Sequence, residues 1–366
     1  MAPLNEDARM NTQEATATAN DAQETRVIEE TQQTAVRATD EHQHLLELRD
    51  LNVTYLGQEK RVHAVRDVSF SIDPGDSIGV VGESGSGKST MAMAVLRLLN
   101  PKQAEVTGQA LFEGTDLLSI TEKEMNELRW TNISIVFQKA MNALSPVHRI
   151  SRQAQDIYRV HYPDATDEEI RARMIELLRM VNLPERVYTM YPHELSGGML
   201  QRVCIALSLM HNPKLLVLDE ATTALDVVTQ GQILSEIAEL EKTLHTTRIT
   251  ITHDMSVVSA SCNRTAVMYA GELMEVGSTR DVLKNPKHPY TQGLLASFPS
   301  LKGDITKLQS IPGYLPDLSI EQPGCAFAPR CPHVMDCCRA HRPHMVEMEA
   351  GHTVNCWLYD NAEEER

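Results

Sequence analysis

Two stretches of this 366-residue chain carry groups suited to holding phosphate. Gly82-Glu83-Ser84-Gly85-Ser86-Gly87-Lys88-Ser89 follows a short apolar run, Ser77-Ile78-Gly79-Val80-Val81, and precedes helical spacing through Met91, Val95 and Leu98. Glycines 82, 85 and 87, with Ser84 between them, let backbone N–H groups wrap phosphate oxygens. Lys88 reaches the β and γ oxygens, Ser89 ligates Mg2+, and Thr90 continues the nucleotide-binding run. The second stretch is Leu195-Ser196-Gly197-Gly198-Met199, a turn opening a helix. There the Ser196 hydroxyl and the N–H groups of Gly197 and Gly198 meet a helix dipole that favours phosphate. The chain already has its own phosphate loop, so this second element is expected to address a nucleotide held by another subunit.

Chemistry at that phosphate needs an acid–base group and a metal ligand. Lys214-Leu215-Leu216-Val217-Leu218 reads as a buried parallel strand ending in Asp219-Glu220. A buried unpaired carboxylate is costly, and Asp219 escapes that cost by holding Mg2+ through water. Glu220 is then placed to polarise an attacking water as general base. His253 follows another apolar strand, Arg248-Ile249-Thr250-Ile251-Thr252, and reads as a γ-phosphate sensor, because sheet topology delivers strand C-termini to the nucleotide crevice. Gln138, at the end of Ile133-Ser134-Ile135-Val136-Phe137, is a candidate to orient water or touch Mg2+. Tyr55, upstream of the loop, is a candidate to stack on adenine. Taken alone, Gln138 reads as a surface residue and Tyr55 as packing.

These residues need a scaffold. Strands alternating with helices imply an α/β parallel sheet. Leu46–Tyr55 and Val68–Ile72 add strand-like alternation before the loop, and residues 165–182 and 196–211 show helical spacing within an insert expected over about 139–210. Residues 1–44 have few large apolar side chains and many acids, the composition of a disordered acidic tail. The net charge of −16 opposes a nucleic-acid partner. No run of about 18 apolar residues and no secretion-type N-terminus is seen, so a cytosolic chain is expected. Its seven cysteines, an odd number, then argue against a disulfide framework. Cys204 and Cys262 read as core residues.

Together these motifs resemble the ATP-binding subunits of ABC transporters. The match runs over about 45–295: the phosphate loop at 82–89, Gln138, the signature at 195–199, the acidic strand end at 215–220, Ala224-Leu225-Asp226 and His253. The resemblance implies a P-loop ABC ATPase: a RecA-like α/β core with an antiparallel β part and a helical subdomain. It also implies a head-to-tail dimer with two ATPs between protomers. Ser196 and Gly198 would contact the partner's γ-phosphate, and Asp226 would lie at the interface. Membrane subunits would dock near Gln138.

A narrower likeness lies in Tyr191-Pro192-His193-Glu194, His288-Pro289-Tyr290-Thr291 and Gly324-Cys325-Ala326-Phe327-Ala328-Pro329-Arg330-Cys331-Pro332. These look like the oligopeptide/dipeptide (peptide/nickel) importer branch, with 296–366 as its small Cys-rich C-terminal extension. The resemblance implies two transmembrane permease subunits, an extracytoplasmic solute-binding protein, a second ATPase subunit, identical or paralogous, and a place at the cytoplasmic membrane face. Cys325, Cys331, Cys338 and Cys356 suit an iron–sulfur cluster of the [4Fe-4S] type, as some members are thought to carry. Zn2+, with His333, His341 and His344 nearby, and reduced free thiols are the rivals, and Cys337 makes the third ligand ambiguous. The chain departs from the family at Lys139-Ala140, Leu200 and Ala221, none of which removes a chemical group from the ATP site. A soluble ABC ATPase of the translation or DNA-repair type is disfavoured by the single phosphate loop and acidic balance. An export motor is disfavoured by the C-terminal cysteines.

Overall fold

The computed structural model describes residues 44–57, 60–137, 144–221, 227–297 and 310–360. The acidic N-terminal segment, Gln138, Lys139-Ala140 and Asp226 lie outside the described residues. Two sheets carry the fold. One is antiparallel, in the order β2 (Arg61–Ile72), β1 (Leu46–Leu56), β4 (Ala104–Phe112), β5 (Thr115–Asp116). In β1, Leu46, Leu48, Leu51 and Val53 all point into the core, and a register shift between Leu48 and Leu51 keeps that alternation on one face. The strand expected at Val68–Ile72 begins seven residues earlier, at Arg61. Charged Arg66 and Asp67 obscure the pattern there, although Ala64 and Val65 are buried.

The second sheet runs β11 (Met345–Glu349), β12 (His352–Asn355), β10 (Glu272–Ser278), β9 (Arg264–Tyr269), β3 (Ser77–Val81), β8 (Thr247–Thr252), β7 (Leu215–Asp219), β6 (Ile133–Val136). From β9 to β6 neighbouring strands are parallel. Their residues are buried on both faces, as parallel strands between two layers must be. In β7, Leu215 and Val217 face the core shared with β1 and β3, while Leu216 and Leu218 face a second, helical core.

That second core holds the helices Ile150–Arg159, Asp167–Met180 and Gly197–Ser208. Asp167–Met180 starts with a capping box: the Glu169 N–H donates to Thr166 Oγ1 at 3.2 Å and the Thr166 N–H donates to Glu169 Oε2 at 2.8 Å. Three acids in its first turn meet the positive end of the helix dipole. Ile170, Met174, Leu177 and Leu178 form its single buried face. Leu200, one of the departures from the family pattern, packs against this core, and Ala221 is buried in it.

The C-terminal residues extend the large sheet through β12 on β10. Glu275, fully buried in β10, accepts the N–H groups of Lys287 and His288 at 2.8 and 2.9 Å and pairs with His352 Nε2 at 2.8 Å. Both oxygens of this buried carboxylate are thus engaged, which is what makes its burial tolerable.

Candidate nucleotide site

The parallel register aligns the strand ends that carry chemistry. Val81 pairs with Thr252, Asp219 with Ile251, and Val136 with Leu218. The phosphate loop, Glu220, His253 and the segment leading to Gln138 therefore leave the sheet along one edge, the position where open α/β sheets bind ligands.

The loop from Gly82 to Gly87 leads directly into the helix Lys88–Val95, shorter than the spacing to Leu98 suggested. Gly87 caps it at φ 98°, and a side chain there would strike the Ala64 carbonyl oxygen at 2.3 Å. At Gly82 a Cβ would lie 2.1 Å from the Met268 oxygen. Both positions tolerate only glycine. Lys88 is buried, and its Nζ donates to the carbonyls of Gly82 and Glu83, each at 2.8 Å, and to Ser86 Oγ at 3.2 Å. Burial pushes its pKa below the ordinary lysine value, opposed by the carboxylates of Glu220, Asp219 and Glu83.

Ser89 Oγ donates to Asp219 Oδ1 at 2.7 Å. Burial raises the Asp219 pKa, and Glu220 adds to that, whereas the Ser89 hydrogen bond and Lys88 act against it. A hydroxyl and a carboxylate oxygen in contact beside a phosphate loop are the donor set of a Mg2+ site, which keeps its remaining positions for water and phosphate. The two side chains fit such an ion. Thr90, one residue on, is hydrogen-bonded to Tyr55 OH at 3.3 Å, so Tyr55 reaches the phosphate-loop helix from the antiparallel sheet with its ring packed against the main core.

Glu220 turns away from the end of β7 at φ 48°, a left-handed conformation uncommon for a non-glycine residue, and its N–H donates to the Ile251 oxygen at 2.9 Å. His253 Nδ1 lies 3.5 Å from Glu220 Oε1, with the imidazole more than half exposed. Asp254 beside it caps the helix Met255–Ser261 by accepting the Ser256 N–H at 2.8 Å, which fixes the turn that presents His253. The sequence-marked groups Lys88, Ser89, Asp219, Glu220 and His253 thus occupy one edge.

The signature turn stands in a different setting. Leu195 is buried in the helical core, and Ser196 and Gly197 directly after it are exposed. Ser196 caps the helix Gly197–Ser208, its Oγ accepting the Met199 N–H at 3.3 Å. A Cβ at Gly198 would press on Thr229 Cγ2 at 3.0 Å. None of the described contacts ties this turn to the chain's own phosphate loop.

Two contacts to the loop were not legible as site features. The Glu83 N–H donates to Tyr290 OH at 3.0 Å, and Glu83 Oε2 accepts from Arg330 Nη1 at 3.0 Å. Both partners sit in the segments that mark the peptide-importer likeness, which was the only signal the sequence carried for them.

Burial raises the thiol pKa of Cys325 to about 12 and of Cys356 to about 11, and the thiols of Cys325, Cys331, Cys338 and Cys356 are near enough to raise one another further. The Cys325 N–H donates to the Cys338 oxygen at 2.8 Å, and a side chain at Gly324 would strike that same oxygen at 2.3 Å. Yet among the described residues no three His, Cys, Asp or Glu side chains stand as an assembled metal-binding group. His344, a zinc candidate, is bound through Nδ1 to Asp360 at 3.1 Å. Cys204 and Cys262 are buried and take part in no disulfide.

Comparison with known proteins agrees with this geometry. Residues 65–223 match the ABC transporter family, and residues 274–338 match the oligopeptide/dipeptide transporter C-terminal region. The chain is 42% identical over 318 residues to the probable peptide ABC transporter ATP-binding protein y4tR of Sinorhizobium fredii, covering 86% of this chain and 94% of that one. It is 42% identical to the oligopeptide transport ATP-binding protein OppD of Salmonella typhimurium, over 85% and 93% of the two chains. A dimeric bacterial ABC transporter cassette, MJ0796, superposes with a TM-score of 0.58 at 30% identity, covering 64% of this chain and 99% of that one. The same cassette has also been solved in a post-hydrolysis state bound to ADP and Pi. On fold, motif order and identity, the chain belongs to the ATP-binding subunits of the oligopeptide/dipeptide branch of ABC transporters.

Proposed function

We propose that this chain is the ATP-hydrolysing motor of an importer for oligopeptides, dipeptides or related solutes, and that it works paired with a second cassette. The observation that carries the pairing is the signature turn. A capped, exposed helix N-terminus suited to phosphate stands on a chain that already has a complete phosphate loop. The peptide cargo rests on relatives whose names give peptide transport. Two membrane-spanning permease subunits and an extracytoplasmic solute-binding protein complete the machine, which places this chain at the cytoplasmic face of the membrane. No helix among the described residues is long and apolar enough to cross a membrane. A cavity of about 380 Å3, walled by Trp130, Val136, Phe137, Leu144 and Ile157, opens beside the segment leading to Gln138 and offers an apolar seat for a permease.

In this reading Tyr55 supports the base of ATP, and the loop N–H groups other than those of Glu83 and Ser86, which already have partners, hold its phosphates together with Lys88. Ser89 and Asp219 hold Mg2+, with Gln138 as a further ligand; the ion, when bound, neutralises charge on the phosphate oxygens. Glu220 accepts a proton from water as the water oxygen bonds to the γ-phosphorus and the bond to the β-phosphate oxygen breaks. ADP and inorganic phosphate are the products. His253 holds the γ-phosphate and Glu220 in line. Ser196, Gly197 and Gly198 meet the nucleotide of the other cassette, with Asp226 at the same interface, so that closure of the pair requires both nucleotides.

Purification of the tagged chain from its own membranes tests the assignment. Two multispanning proteins and a second cassette are expected to accompany it, and vesicles of the assembly should take up peptide with ATP hydrolysis. Recovery with ribosomes or DNA and no membrane partner overturns it.

A second proposal concerns Cys325, Cys331, Cys338 and Cys356 as ligands of a [4Fe-4S] cluster, supported by the electrostatic interaction among these thiols, Cys338 and Cys356 buried and Cys325 and Cys331 half-buried. Anaerobically purified protein is then brown, with iron and sulfide in equal amounts, and Cys325→Ser bleaches it. Colourless protein with stoichiometric zinc assigns the thiols to zinc instead.

A further inference from the structure

The phosphate loop is built from two sources. Its backbone belongs to the cassette, but Glu83, the first residue after Gly82, is held at both ends by the C-terminal part of the chain. Its N–H donates to Tyr290 OH at 3.0 Å, and its carboxylate accepts from Arg330 Nη1 at 3.0 Å. Its carbonyl oxygen in turn accepts from Lys88 Nζ at 2.8 Å. Arg330 and Lys88 therefore act on opposite ends of the same residue.

Arg330 is fixed rigidly. Its Nε donates to the Pro312 oxygen at 2.8 Å, Nη2 to the Ile311 oxygen at 3.3 Å, and Nη1 also to Tyr269 OH at 3.2 Å. Its guanidinium lies 5.6 Å from the Tyr269 ring centroid, and the side chain is only 6% exposed. Below it, Phe327 meets Tyr269 and Tyr290 edge to face with ring centroids 5.3 Å apart, and the two tyrosine rings lie tilted at 4.7 Å. A guanidinium spread over two carbonyls, a phenol and one carboxylate is a fork whose direction is set by its surroundings.

Electrostatics gives the fork a purpose. A carboxylate inside a phosphate loop repels a triphosphate, and at short range in a partly buried site that repulsion is substantial. Pairing Glu83 with Arg330 cancels the charge while leaving the Glu83 backbone free to shape the loop. We propose that Arg330 is a positioning and charge-balancing residue of the nucleotide site, through which the C-terminal segment sets the affinity of the phosphate loop for ATP. The inference rests on ATP binding at this loop and is independent of which solute is carried.

The experiment uses the full chain in its native assembly and reads KM for ATP and kcat separately. Arg330→Gln should raise KM about tenfold, with kcat within about twofold, because the uncompensated Glu83 charge opposes nucleotide binding and not the chemical step. Adding Glu83→Gln to that variant removes the charge and should restore KM to within about threefold of the parent. Arg330→Lys, which keeps the charge but loses the fork, should fall between. Glu83→Gln alone should bind ATP at least as well as the parent. Melting temperatures of all four are followed. If Arg330→Gln does not fold, the Glu83→Gln chain alone decides, since a tenfold rise in its KM overturns the proposal. So does an Arg330→Gln defect that the second substitution fails to reverse, or the absence of any KM change.

Discussion

Glu220→Gln should leave ATP binding within about twofold and lower phosphate release by about a thousandfold, the middle of the range for loss of a general base. The amide is isosteric with the carboxylate, so the backbone bond from the Glu220 N–H to Ile251 and the approach of His253 are preserved. What disappears is an acceptor basic enough to take a proton from water. Binding should even gain slightly, because one negative charge near the γ-phosphate is removed, and Lys88 and Asp219 both sense that charge. Equilibrium titration with ATP and single-turnover phosphate release separate the two effects. A residual rate above about a tenth of the parent would remove Glu220 from the role of base.

Much of this site could be read from residue order. Lys88, Ser89, Asp219, Glu220 and His253 lie far apart in sequence, yet each follows an apolar run, and strands laid parallel bring their ends to one edge. The helical core was legible for the same reason: Ile170, Met174, Leu177 and Leu178 repeat at helical spacing behind a capping box. The start of β2 was not, because Arg66 and Asp67 interrupt its alternation while its neighbours bury themselves against β1. Nor was the contact of Arg330 with Glu83, a pair separated by 247 positions. Pairing at that distance leaves no local periodicity, and an arginine beside cysteines reads as part of a cysteine motif. Gln138 and Asp226 were chosen on motif alone and lie outside the described residues, so their roles stand as proposals.

Lys88→Ala should weaken ATP binding by about a hundredfold, the cost of deleting a buried charged donor from its partners. The Lys88 ammonium is the cationic side chain seated on the Gly82 and Glu83 carbonyls inside the loop. Without it those oxygens face a polyanion, and the charges of Asp219, Glu220 and Glu83 lose the positive group that offsets them. The fold should survive, since the core beneath the loop is formed by Met91, Ala92 and Val95 of the following helix and by Ile78 and Val80 of β3. A calorimetric titration together with a thermal melt checks both halves. Retained affinity at an unchanged melting temperature would mean that the loop N–H groups alone hold the phosphates.

The pairing of two cassettes around nucleotide is the claim on which the rest depends, and the mass of the assembly tests it most directly. The Glu220→Gln chain, together with any cassette that accompanies it in purification, is measured in detergent-free solution with Mg-ATP, with ADP and without nucleotide. A two-cassette particle should form with ATP, dissolve with ADP, and fail to form when Ser196→Arg blocks the signature turn. A particle that binds ATP yet remains a single cassette, or a pair indifferent to nucleotide and to Ser196→Arg, would contradict that pairing.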